Sequence, residues 1–276
     1  SAAMLLRFPR VLEQLPGCIA HSKWEESIAV LHRLYDAHET IGFTVLDPDA
    51  LKRLAEVAVD YVPVQTPYIP PRIWVYQARR LRECLDDFVA HKDKIEACFK
   101  FCLDAYATNY GSLGAALVTG RVAWKAPFTK SSKGLTGCEY LGLFAETARR
   151  FGLTDLLSKW FTGGRALPRV SVLSSYLSLV TVAGLAYIAN FTLQRKEEAA
   201  SVRSSCLLWE HDEKLGRVAI ICGETTKTDP DSDARWVASP SVEIAVEALT
   251  FIARLRMVCD VVNPHAKPTE DDIADP

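Results

Sequence analysis

Apolar side chains along this chain recur mostly at helical intervals. Between residues 23 and 38, Ile28, Val30, Leu31, Leu34 and Tyr35 follow the spacing of one helix face. Asp47-Pro48-Asp49 has the form of a helix start, and Leu51, Leu54, Ala55, Val57 and Ala58 then share a face. The short segment 42–46 between them is predicted as a strand. Residues 62–71 hold four prolines, at 63, 67, 70 and 71, and read as a stiff extended linker. Pro70-Pro71 opens a long helix ending near Gly111. Its stripe of Leu81, Leu85, Phe88, Ile95, Phe99, Cys102 and Tyr106 is interrupted by Lys92, where a core residue is due. Residues 115–137 are predicted as a domain junction or mobile loop. Helical patterning resumes over 140–151 and 153–161, then in the very apolar stretch 170–191.

After Ser205 the pattern changes. Residues 206–209, 217–222 and 235–238 are short and β-rich, separated by turn-like pieces, and predict a small antiparallel sheet. Ser239-Pro240-Ser241 then caps a helix over 242–258, with proline suited to the first turn. The proline-containing acidic tail, residues 263–276, is expected to be disordered. The fold class is therefore mainly α with a small three-stranded antiparallel sheet (α+β). Its predicted divisions are a helical N-terminal module (1–125), a second domain (126–262) and the tail.

Composition agrees with a globular chain: of 276 residues, 49% are hydrophobic and 24% charged, enough to bury a core without disulfides. The apolar stretch 170–193 carries Ser171, Ser174, Ser175, Ser178, Thr181 and Asn190, so it reads as a buried core helix and no membrane partner is expected. Ser1–Ala3 ahead of Met4 reads as an appended segment, and residues 5–15 are too short for an export signal. Eight cysteines lie scattered without a CxxC pair, which points to a reducing cytoplasm. Cys98 and Cys102 share a helix face, where core packing is the expected role. No metal site and no cofactor are expected.

Charge is uneven. Residues 121–170 carry 9 basic against 3 acidic side chains, whereas residues 171–276 carry 10 against 16. Lys125, Lys130 and Lys133 in the basic block are candidates for DNA-backbone contact, since cations release condensed counterions on binding phosphates. A solvated basic surface with no partner fits the same residues. Trp74, Trp160, Trp209 and Trp236 are expected in the core.

Chemistry concentrates in residues 194–240. Glu198 follows Arg195 by three residues, one helical turn on, where its carboxylate can hold the guanidinium and leave the other donors as a rigid fork for a phosphate. Lys227 stands in Gly223-Glu-Thr-Thr-Lys-Thr228 between two predicted strands, from which a flexible ammonium can donate a proton. Read as incidental, the first pair is a surface salt bridge and the second a solvated turn lysine.

The order of apolar helix, Arg-x-x-Glu, strand, Lys-bearing turn, strand and helix resembles the catalytic domain of the tyrosine recombinases, or phage integrases. The resemblance covers roughly residues 171–255, about a third of the chain. It implies that Arg195 neutralises the scissile phosphate, Glu198 orients it, Lys227 protonates the leaving 5′ oxygen, and Arg235 is the basic residue of the third strand. A tyrosine would then form a covalent 3′-phosphotyrosine with no metal or cofactor. The sequence departs from the family pattern at Leu193, where a glycine is usual. It also has no HxxR box, and its last tyrosine, Tyr187, precedes Arg195.

The expected protein is thus the N-terminal portion of a DNA-breaking-rejoining recombinase. It would bind double-stranded DNA, as a homo-oligomer on the duplex, in a bacterial cytoplasm at the nucleoid, and be inactive alone. The N-terminal module would be of the DNA-embracing kind. A non-catalytic DNA-binding relative and a helical protein-interaction domain without a nucleic-acid role are the alternatives.

Overall fold

A computed structural model describes residues 14, 18, 21–57, 68–119, 123–162, 169–225 and 231–276. Two compact units, Ser1–Tyr68 and Ile69–Pro276, divide the chain. In the first, helices α1 (His21–Asp36), α2 (His38–Ile41) and α3 (Pro48–Glu56) close over Trp24, Leu46, Ala50, Leu51 and Leu54. The Asp47 carboxylate caps α3 by accepting from the Ala50 N–H at 2.7 Å, as its position before Pro48 predicts. The strand expected over 42–46 does not form. Gly42 instead ends α2 in the left-handed region (φ 77°), and Val45 and Leu46 pack into the small core. No other strand among the described residues of this unit offers a ladder.

The second unit is built on α4 (Pro71–Tyr110), 40 residues long. The remaining elements are α5 (Leu113–Thr119), α6 (Phe144–Arg150), α7 (Thr154–Leu157), α8 (Ser171–Thr192), α9 (Lys196–Ala200), α10 (Glu243–Asp260), α11 (Glu270–Ala274) and a sheet of three strands. Helices α8 and α10 pack against α4. Phe88 of α4, Tyr176 of α8 and Phe251 of α10 meet at its centre, with ring centroids 6.4 and 5.9 Å from Phe88. Gly184 lets α10 approach: a Cβ there would stand 2.9 Å from Leu249 Cγ. Lys92, out of place in the α4 stripe, reaches across to Glu247 of α10 at 2.6 Å. Its break in the pattern marks a contact between helices.

Helix α8 is long and apolar enough to cross a membrane by length and composition. In this fold it is the central helix, with Leu173, Tyr176, Leu177, Val180, Ala183, Tyr187 and Ile188 buried against its neighbours. It runs antiparallel to α4, because Phe88 faces Tyr176 while Trp74, nearer the start of α4, meets Phe191.

Strands β1 (Leu207–Asp212), β2 (Gly216–Thr225) and β3 (Asp231–Ala238) form an antiparallel sheet in sequence order. All three are longer than their apolar cores predict. Arg235 therefore sits in the middle of β3, opposite Cys222, and does not begin the strand.

Two expectations about domains differ from the structure. Helix α4 belongs to the second unit, because its buried face, from Leu81 to Tyr106, needs α8 and α10 to cover it. The tail is ordered where disorder was expected. Thr269 caps α11, and Asp275 accepts from Ser204 Oγ, Ser205 Oγ and the Ser205 N–H. Burial opposes ionisation of Asp275, but these donors together hold its carboxyl below the usual range.

Candidate phosphate-binding site

Helix α8 ends at Thr192, and Leu193 turns the chain in the left-handed region (φ 58°, ψ 23°), its N–H donating to the Ala189 carbonyl at 3.0 Å. Arg195 follows in extended conformation and begins α9. Glu198, one turn later, is nearly buried and organises the site. Its Oε2 accepts the Arg195 N–H at 2.8 Å, closing the first turn of α9. Its Oε1 accepts both Arg195 Nη1 at 3.1 Å and Thr225 Oγ at 2.8 Å. The Arg195 backbone N–H, then the Thr225 hydroxyl, hold the Glu198 carboxyl below its ordinary range, with the guanidinium adding to them.

With one nitrogen bonded to Glu198 and half its side chain open to solvent, Arg195 has further donors of the kind that can bind an anion. Thr225 is the last described residue of β2, paired with Asp231 of β3. Residues 226–230 join these strands, and Lys227, which belongs to them, lies outside the described residues. The helix that starts with Arg195 and the strand that leads towards Lys227 are thus tied to one carboxylate oxygen.

The remaining candidates fall elsewhere. Arg235 is exposed and paired with Glu210 at 3.1 Å and Asp233 at 3.2 Å, so its charge is already met by two carboxylates. Lys125, Lys130 and Lys133 belong to a segment at the far end of α4. Asn109, buried near the C-terminus of that helix, donates to the Lys125 and Glu139 carbonyls at 2.8 and 2.9 Å and accepts from the Glu139 N–H at 2.7 Å. Trp74, by contrast, meets Phe191 beside the Arg195 turn. At 1.5 Å rise per residue, these two points on α4 are about 50 Å apart. The structure does not bring the lysines to Arg195, because a continuous helix separates them. The mobile loop predicted there is pinned by Asn109 and by Phe128, which packs among Phe101, Tyr106 and Phe144. Among the described residues the three lysines make no ion pair, and Lys125 Nζ stands 5.4 Å from the centre of the Trp124 ring.

Sequence reasoning missed Thr225 and Asn109. Each binds partners 16 to 30 residues away, a separation at which no local spacing rule applies. No group of three or more metal-ligating side chains occurs among the described residues. Compared with known proteins, the chain matches no family model, no curated protein and no solved structure.

Proposed function

We propose that this protein binds double-stranded DNA through its phosphates, and that residues 194–240 are the first half of a tyrosine-recombinase active site. The observation that carries this reading is Glu198, whose nearly buried carboxylate holds Arg195 and Thr225 together. A surface salt bridge would not need a third partner from the sheet. In this reading Arg195 grips the scissile phosphate with its free donors, and Lys227 protonates the leaving 5′ oxygen. No tyrosine follows Arg195 in this sequence, and the proposal assigns phosphate contacts to these residues without assigning a nucleophile. A homo-oligomer on DNA and a nucleoid location belong to the same proposal.

The test is anisotropy of a short fluorescein-labelled DNA duplex titrated with the protein across a series of salt concentrations. Binding that weakens steeply with salt, and a salt slope lowered by about one in Arg195→Ala, is the expected result. No binding at low salt, or equal binding by the Arg195 variant, overturns the assignment. A protein-interaction role without nucleic acid would then remain.

A further inference from the structure

Leu193 combines two features that local stability does not favour. It is the one non-glycine residue with positive φ among the described residues, a conformation in which a Cβ is strained. Its side chain is also 89% exposed, so no packing within the described fold compensates. Glycine would satisfy the same turn and the same Leu193 N–H to Ala189 bond without strain. The next residue adds a second local cost, since Gln194 is buried and its Nε2 has no hydrogen-bond partner. Local strain of this kind collects where a side chain is held for a ligand.

Leu193 stands two residues before Arg195. Glu198 holds the Arg195 backbone and guanidinium, so the exposed leucine is carried on a turn two residues from a fixed fork. The group next to any DNA phosphate is a deoxyribose, whose C4′–C5′ edge is apolar. We infer that Leu193 packs against the deoxyribose flanking the phosphate bound by Arg195, as an apolar contact that positions the backbone. This rests on the DNA-binding reading above and adds a contact that Arg195 chemistry does not supply.

Leu193→Gly separates the two demands, because it keeps the turn and removes the side chain. Its melting temperature should rise by about 2–4 °C, as expected when left-handed strain is relieved in a chain of this size. Its affinity for the labelled duplex should fall about tenfold, with an unchanged salt slope, because no phosphate contact is lost. Leu193→Met, which restores apolar reach, should keep affinity within about twofold of the parent. If Leu193→Gly melts higher and binds as tightly as the parent, the contact is overturned while the Arg195 reading stands. If the parent protein binds no duplex at low salt, both are overturned. A salt slope lowered by Leu193→Gly would also overturn the inference, since it would mean that the turn, and not the side chain, governs Arg195.

Discussion

The two ends of helix α4 carry positive charge in opposite ways. Near its start, beside Phe191, Arg195 is a cation held by a nearly buried carboxylate that also binds Thr225. Near its end, Lys125, Lys130 and Lys133 have no carboxylate partner among the described residues, and their backbone is held through Asn109 and Phe128. In the first region the side chain is organised and its direction is set. In the second the chain is organised and no carboxylate among the described residues directs the charges. A directed fork suits one phosphate at one place, whereas ammonium groups without a carboxylate partner suit a phosphate backbone of any register. Separation by about 50 Å of helix makes the two regions independently testable.

The largest effect should come from breaking the lysine end at its backbone. Asn109→Ala leaves the Lys125 and Glu139 carbonyls and the Glu139 N–H without their partner, and should cost about 3 kcal/mol in denaturant unfolding. Hydrogen exchange should then rise over residues 123–142 and stay unchanged around Arg195. Faster exchange at both ends would mean that the regions are coupled. Next in size is Arg195→Ala, expected to weaken duplex binding about thirtyfold, a loss of one charge-assisted phosphate contact.

Glu198→Gln should weaken binding about tenfold by freeing the guanidinium. It also carries a pH signature. The folded-state carboxyl lies below its ordinary value, so its stabilising contribution is complete above about pH 4.5 and is lost as pH falls through the depressed folded value. The stability gap between parent and Glu198→Gln should therefore be constant near neutrality and shrink in acid. Thermal melts at several pH values would show this, and a gap that widens in acid would contradict it. The smallest effects belong to single lysines: Lys125→Ala, Lys130→Ala or Lys133→Ala should each weaken duplex binding about threefold. A thirtyfold loss from any one of them would place a directed contact at that end too, and erase the contrast.

Much of this architecture was legible in the residues themselves. The stripe from Leu81 to Tyr106, the apolar run ending at Thr192 and the three short β-rich segments each carry their period locally, and each became the expected element. Arg195 and Glu198 were readable for the same reason, being one helical turn apart. Segments whose conformation depends on partners were misread. Residues 42–46 have strand composition but no strand to pair with among the described residues, and the acidic tail is ordered through Ser204 and Ser205. Residues 115–137 look like a junction because their anchor, Asn109, lies on another element.

By itself, then, the sequence determined the long helices, the strand order and the Arg195–Glu198 pair, all products of interactions within a few residues. Tertiary structure alone decided that Thr225 joins that pair, that Glu210 reaches Arg235, and that the lysines stand at the other end of α4. Those outcomes depend on how helices and strands pack over tens of residues. Side-chain periodicity records which face of an element is buried, but not which distant element buries it.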